Sequence, residues 1–164
     1  MAQTEIRDSR SGAFAGQIAE EMQPQHRRTG IVADGKSVTP GQVVILAGSE
    51  GPNGEDVVRD IENGDTIDAT TVGGVVKLDT FRENISGAGY GEKKTVTLIR
   101  EGVVYMKVTA DVSNRNEVYV GNTTATLGQI AGATGTGLVA YPGARFLDAG
   151  STGDLVRVHI RTDV

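Results

Sequence analysis

Apolar and polar positions alternate at short intervals over most of the chain, which is the pattern of β-strands. In the segment 155–161, LVRVHIR, valine and isoleucine occupy one face, and arginine and histidine occupy the other. Similar short strands are predicted over 42–47, 75–78 and 118–120, with turn residues between them. About eight such strands predict an all-β fold, either a small β-barrel or a jelly-roll-like sandwich.

A hairpin is predicted around Glu101-Gly102. The segments 94–100 and 103–110 are rich in β-branched residues and flank a two-residue connection that suits a type I′ or II′ turn. This turn would place Ile99 opposite Val104. Both faces of both segments are apolar, so we expect the pair to be covered on each side.

Two further dipeptides predict turns. Asn63-Gly64 predicts a hairpin between segments 57–61 and 66–70. Pro142-Gly143 is predicted to separate two short strands near the end of the chain.

The first 41 residues differ from the rest, being polar and interrupted by glycine and proline. We therefore predict an N-terminal arm over residues 1–41 and a β-barrel domain over residues 42–164. Within the arm, apolar residues recur at every fourth position, which predicts a short helix, so the arm is expected to be extended and partly helical.

The arm carries the predicted contact residues for another subunit or protein. The apolar stripe and the basic pair at its end are Phe14, Ile18, Met22, Arg27 and Arg28. A helix of about ten residues is not stable alone in water. The arm is therefore expected either to fold back on its own barrel or to dock on a neighbouring subunit.

Composition supports the all-β prediction. The chain of 164 residues contains 20 Val, 10 Ile and 17 Thr against 7 Leu, together with 23 Gly. Branched side chains fit a pleated sheet, and glycine suits tight turns. There is no cysteine, which excludes disulfides, thiolate metal sites and cysteine nucleophiles.

Charge and hydropathy exclude further classes of partner. With 16 Lys and Arg against 21 Asp and Glu, the net charge is −5, which argues against binding to nucleic acid or to an anionic membrane. No apolar run approaches the roughly 20 residues of a membrane helix. We expect a soluble protein that is made in a reducing cytoplasm.

The sequence predicts no catalytic apparatus, no cofactor and no metal site. His26 and His159 lack a carboxylate at a spacing that would orient an imidazole. The acids around Asn63-Gly64 do not match the register of a calcium loop. The glycine-rich segments 87–95 and 132–137 match neither a phosphate-binding loop nor a dinucleotide fingerprint. We therefore predict that the protein is not an enzyme.

The order of several short segments resembles a known family. These segments are 12–19, 29–36, the central stretch 96–108 (VTLIREGVVYMKV), 117–120, 142–146, 149–153 and 155–158. In this order they are similar to the structural cement, or capsid decoration, proteins of tailed bacteriophages.

The resemblance implies a small β-barrel that binds the outside of an expanded phage head. Such a protein would bridge neighbouring major capsid proteins and act in the virion, on the outer face of the capsid, after assembly in the host cytoplasm. It would be a homo-oligomer, with a trimer favoured and a dimer possible.

Two other functions fit an all-β chain. A receptor- or carbohydrate-binding β-sandwich of a phage tail or fibre would need exposed aromatic platforms, for which only the four tyrosines are available. A trimeric enzyme of the dUTPase type would need an aspartate-activated water and a triphosphate site, and the matching motifs are missing.

Overall fold

The computed structural model describes residues 14–19, 26–78 and 89–162, and it contains strands but no helix over those residues. The all-β prediction is therefore confirmed. The nine strands are β1 (His26–Val32), β2 (Val43–Glu50), β3 (Asp56–Asp60), β4 (Val72–Val76), β5 (Thr95–Lys107), β6 (Glu117–Gly121), β7 (Ile130–Ala131), β8 (Leu138–Phe146) and β9 (Leu155–Arg161).

Five strands close into a barrel in the order β1-β3-β2-β4-β5, and β5 pairs back with β1. The β1–β3 pair is parallel, while the other four pairs of the ring are antiparallel. The barrel interior is filled almost entirely by branched aliphatic side chains. Its buried residues are Val32, Val38, Val44, Val58, Val76, Tyr90, Val96 and Leu98. The predicted barrel is thus present, and only the first half of β5 belongs to it.

The second half of β5 leaves the barrel and starts an open sheet in the order β5-β9-β8-β6-β7. The predicted hairpin at Glu101-Gly102 is wrong, because β5 runs through both residues without reversing. Gly102 has a φ of 136°, which glycine adopts more readily than other residues, and it pairs with Ile160 of β9. Ile99 lies opposite Val75 of β4 rather than opposite Val104.

The open sheet packs against the outer face of the barrel, and the main hydrophobic core lies between these two layers. Val43 and Val75 come from the barrel wall, and Met106, Phe146 and Val158 come from the open sheet. Strands β2 and β4 therefore bury both faces, one in the barrel and one in this interlayer core.

Two other predicted turns have a different role in the structure. Asn63-Gly64 does form a turn, with Gly64 at a φ of 85°, but it makes no hairpin, because β3 and β4 both pair with β2 instead. Pro142-Gly143 lies inside β8, where the pairing with β6 shifts register. A bulge there keeps one strand continuous where two were predicted.

The described part of the predicted helix is not helical. Residues 14–19 contain a turn at 15–16 followed by a β-bridge between Ile18 and Val104. Gly16 N donates to Tyr105 O (2.8 Å), and Ala19 N donates to Val103 O (2.9 Å). The helix prediction is wrong over these residues, because the free edge of β5 satisfies their backbone groups. Residues 20–25 lie outside the described ranges.

The segment 14–19 therefore folds back on its own chain, which is one of the two expected placements. Residues 26–32, also within the predicted arm, form a barrel strand. The division into an arm of residues 1–41 and a domain of residues 42–164 stays a prediction. Over the described residues, no helix has the length and hydrophobicity to cross a membrane.

Candidate contact surfaces

The four predicted contact residues that the structure describes lie along β5 at two separate places. Phe14 is 49% exposed, whereas Ile18 is half-buried and packs against the interlayer core. Arg27 and Arg28 lie on the exposed first half of β1, opposite Ile99 and Leu98 of β5. Met22 lies outside the described residues. Phe14 and the two arginines thus remain accessible, while Ile18 contributes to the protein's own core.

Arg28 has a carboxylate neighbour on β3. Its Nη1 lies 3.5 Å from Asp56 Oδ2, and the arginine side chain is 48% exposed. An ion pair this open to water contributes little to folding. The guanidinium therefore remains available to another protein at small cost to stability.

A network of charged side chains holds the loop between β3 and β4. Arg59 donates a bidentate pair of hydrogen bonds to Asp65, at 2.6 and 2.7 Å, and also contacts Glu62 at 3.7 Å. Lys36 donates a hydrogen bond to Glu62. The Arg59 hydrogen bonds lower the pKa of Asp65, and the Lys36 hydrogen bond lowers the pKa of Glu62. Both carboxyls are thereby held in the ionised form.

The same loop joins the barrel to the open sheet. Asn122, just after β6, donates from Nδ2 to Asp65 O at 3.0 Å, and its carbonyl accepts from Gly64 N at 2.8 Å. Thr124 N donates to Asn63 Oδ1 at 3.0 Å. These hydrogen bonds make the turn at Asn63-Gly64 a joint between the two layers. The sequence shows the acids of this loop, but two of the loop's partners, Lys36 and Asn122, are distant in the chain and could not be predicted.

Asp68, a further acid near this turn, is engaged with protein groups. Asp68 accepts from the hydroxyl and amide of Thr70 and from Thr71 N, and these bonds, led by the Thr70 hydroxyl, lower the pKa of Asp68. In the part of the chain that the structure describes, no three His, Cys, Asp or Glu residues are placed to hold a metal ion.

Two concave regions lie outside the predicted contact residues. The first is an apolar groove of about 660 Å³ on the barrel wall, formed by Ile31, Ala47, Pro52 and Val57 with Asp34, Glu50 and Lys93 around it. The second is a cavity of about 480 Å³ at the end of the interlayer core, which we call the Asp60 cavity. Sequence reasoning predicted neither, because each is assembled from strands that are far apart in the chain.

The four tyrosines, all within the described residues, do not form an exposed aromatic platform. Tyr90, Tyr105 and Tyr141 are buried, with exposures of 4%, 6% and 2%. Tyr119 is half-buried and donates to Glu117 Oε2 at 3.2 Å. Sugar binding by stacking needs exposed ring faces, so the tyrosines give no support to the carbohydrate-binding alternative.

Comparison with known proteins finds relatives in phage capsids. The sequence model of the family described as "Structural cement protein (E217 gp24/Pam3 gp6)" matches residues 2–161. A chain in the solved structure "The capsid of Myoviridae Phage XM1" is similar, with a TM-score of 0.71 and 18% identity over 92% of this chain and 91% of that chain. At this identity the structural likeness is one of fold. A comparison with curated proteins finds no match.

Proposed function

Because the chain belongs to the structural cement protein family of bacteriophages, we propose that it binds the outer surface of an expanded tailed-phage head and bridges neighbouring major capsid proteins. The family predicted from the sequence is confirmed, and with it a structural role in the virion, on the capsid. The family match over residues 2–161 is the observation that carries the proposal.

The architecture suits a protein that must resist deformation. The barrel has a closed ring of hydrogen-bonded strands, and β5 extends from this ring into the open sheet. A displacement of either layer would have to break β5 or the interlayer core. Because the interior of a protein is close-packed, such a pair of layers transmits force rather than absorbing it.

We infer that the protein acts as a homo-oligomer, a trimer in preference to a dimer. A cement protein binds a symmetric shell, and matching symmetry lets several weak contacts act together. Phe14, Arg27 and Arg28 are the proposed contacts to capsid or subunit, since all three are exposed. Met22 is part of the same proposal from the sequence, and Ile18 would contribute only its accessible part.

The proposed binding is tested with heads that lack this protein. Purified protein should attach to expanded heads at saturable, symmetry-fixed positions in a cryo-EM map, and decorated heads should release their DNA at a higher temperature than bare heads. Native mass spectrometry of the free protein gives the oligomeric state. A protein that fails to attach to expanded heads would contradict the proposed function.

The contact residues are tested by single substitutions. Phe14→Ala should leave the melting temperature of the isolated protein within about 1–2 °C, because its side chain is largely exposed. It should weaken head binding if the ring enters a partner interface. Leu127→Ala is the matched control, since Leu127 is a large apolar side chain that is 40% exposed and lies in a different loop.

A further inference from the structure

Asparagine is followed by glycine at two places in the chain, Asn53-Gly54 and Asn63-Gly64. In this dipeptide the backbone nitrogen of glycine can attack the side-chain amide of asparagine, because glycine has no Cβ to obstruct the approach. The reaction needs no enzyme, and water is its co-reactant. Both dipeptides are exposed, so exposure alone does not distinguish them.

The reaction replaces the asparagine amide by a carboxylate in two steps. The glycine N–H first loses its proton to hydroxide, and the nitrogen forms a bond to Cγ of asparagine. The bond between Cγ and Nδ2 breaks, and ammonia leaves with a proton taken from water, which regenerates hydroxide. The five-membered succinimide then takes up one water and opens to aspartate or isoaspartate with release of a proton. In a folded chain, the glycine N–H must therefore first leave its hydrogen bond.

Asn53 lies at the tip of the β2–β3 hairpin, where its hydrogen bonds stay within residues 51–55. Gly54 N donates to Gly51 O at 3.1 Å, and Asn53 donates to Glu55 from both N and Nδ2, each at 2.9 Å. A Cβ placed on Gly54 would have no atom within 4 Å, so the tip has open space on that side. Exposed local bonds of this kind open without unfolding the rest of the protein.

Asn63 has partners in the other layer. Gly64 N donates to Asn122 O at 2.8 Å, and Asn63 Oδ1 accepts from Thr124 N at 3.0 Å. Both partners follow β6 in the open sheet, so the Gly64 N–H is released only when the joint between the layers opens. This opening breaks tertiary contacts and therefore costs more than the opening of a hairpin tip.

We propose that Asn53 is a site of spontaneous deamidation in the folded protein and that Asn63, in the same dipeptide, is protected by the joint between the layers. The inference goes beyond the proposed function and does not depend on it, since the reaction needs only the isolated chain and water.

The product loses a hydrogen-bond donor and gains a charge. The new carboxylate cannot donate to Glu55 Oε1 as the Asn53 amide does, and two carboxylates then lie side by side at the tip. The tip also borders the apolar groove of the barrel wall through Gly51 and Pro52. Aged copies of the protein therefore carry one more negative charge beside this groove than newly made copies.

The test compares the two sites within the same molecule. Full-length protein is incubated in warm, mildly alkaline buffer, and the peptide around each site is followed by mass spectrometry for the exchange of ammonia for water. Asn53 should be converted at least about tenfold faster than Asn63. In protein unfolded with guanidinium chloride the two rates should agree within about twofold, because both dipeptides are then open to water.

Gly54→Ala tests the chemistry at the tip. The added methyl group obstructs the attacking nitrogen, so conversion of Asn53 should slow at least about tenfold while conversion of Asn63 is unchanged. Gly48→Ala is the matched control, because Gly48 lies in the same hairpin with a φ of 76° and the same open space, but does not follow asparagine. It should leave the rate at Asn53 unchanged.

Thr124→Pro tests the protection of Asn63. Thr124 is the second residue of a turn closed by Thr126 N and Thr123 O at 2.8 Å, a position that suits proline. Proline has no N–H, so Asn63 Oδ1 loses its donor. Asn63 should then be converted several times faster in the folded variant, while Asn53 keeps its wild-type rate.

Three results would overturn the inference. The first is conversion of Asn63 as fast as that of Asn53 in the folded protein. The second is an intact Asn53 over a period in which the unfolded chain is converted. The third is an unchanged rate at Asn63 in Thr124→Pro, which would show that the joint is not what protects this residue.

Discussion

The closed barrel and the open sheet differ in how the edges of their strands are paired or covered. The barrel joins β1 to β5 and so has no free edge over the paired residues, and a small core rich in valine fills it. The open sheet has edges and a core with larger side chains, including Met106, Tyr141 and Phe146. Segment 14–19 covers the edge of β5, and Thr109 bonds to the amide and carbonyl of Ile130 at the edge strand β7.

The barrel and the open sheet are not independent units. The first half of β5 pairs with β1 and β4, and its second half pairs with β9. The outer face of the barrel also forms half of the interlayer core. We therefore expect one cooperative unfolding transition, in which damage to either layer destabilises both.

The largest effect is expected from Val158→Asp, which breaks the open-sheet side of the interlayer core. Val158 has no exposed surface, so the new carboxylate would be buried without a partner. The free energy of unfolding should fall by at least about 4 kcal/mol. Urea denaturation measures this loss. Val158→Ala, which creates a cavity but buries no charge, should lower the free energy of unfolding by about 2 kcal/mol.

Hydrogen exchange of the backbone amides in Val158→Ala tests whether the two layers unfold together. In Val158→Ala, the amides of Val96 and Leu98 in the barrel should lose protection together with those of β9, because β5 is shared. Full protection in the barrel beside an unfolded open sheet would contradict a single cooperative unit.

An intermediate effect is expected from Gly74→Ala in the barrel wall. Gly74 has a φ of 127°, and an added Cβ would lie 2.6 Å from Ile99 O on the neighbouring strand. Strain and the clash with backbone together should cost about 3 kcal/mol, read from the urea midpoint. Gly54 has a φ of 82° but open space around it, so Gly54→Ala is the control and should cost about 1 kcal/mol.

The smallest effect is expected at the joint between the layers. Arg59→Gln removes the bidentate pair with Asp65, whose side chain is 17% exposed, and should cost about 1 kcal/mol at pH 7. Arg145→Gln is the control, since Arg145 is exposed and forms no ion pair in the described part of the chain. Thermal melts of both variants give the comparison.

The same substitution should change the response to acid. The pKa values of Asp65 and Glu62 are lowered from 3.8 and 4.5, so their contribution is present above those values and is lost as pH falls through the lowered ones. Wild type should therefore lose stability below about pH 4.5 more steeply than Arg59→Gln. Equal slopes from pH 5 to pH 2 would contradict the role given to Arg59.

The alternation of apolar and polar residues, together with β-branched side chains, is sufficient to predict many of the strands. The clean pattern of 155–161 corresponds to β9, and 118–120 lies within β6, because one face of each is buried and the other is not. The barrel itself also follows from short strands with glycine-rich turns. These signals depend only on residues close together in the chain, and the structure has strands at these positions.

Local signals failed where pairing is decided by distant strands. Glu101-Gly102 has the composition of a turn, but β5 pairs with β9 over seven consecutive residues. A hairpin at this dipeptide would lose those backbone hydrogen bonds. The apolar character of both faces of 94–110 was the informative signal, since a strand between two cores needs it. The bulge at Pro142-Gly143 is similar, because it depends on the register with β6.

The contact surfaces were less accessible to prediction than the fold. The apolar stripe of Phe14, Ile18 and Met22 predicts a helix, whereas residues 16–19 pair with β5 as extended backbone. The Asp60 cavity has no sequence signal, because Val43, Asp60, Val120 and Ile130 meet only after the layers pack. Sites of this kind depend on tertiary packing.

The sharing of β5 has a consequence for synthesis on the ribosome. Val103–Lys107 is translated before the strand that pairs with it, β9, because three other strands, β6, β7 and β8, come between them in the chain. Until residue 161 has left the exit tunnel, the nascent chain presents this apolar strand with an unpaired side, which is prone to wrong pairing. The second half of β5 can therefore complete its pairing only after β9 has left the tunnel.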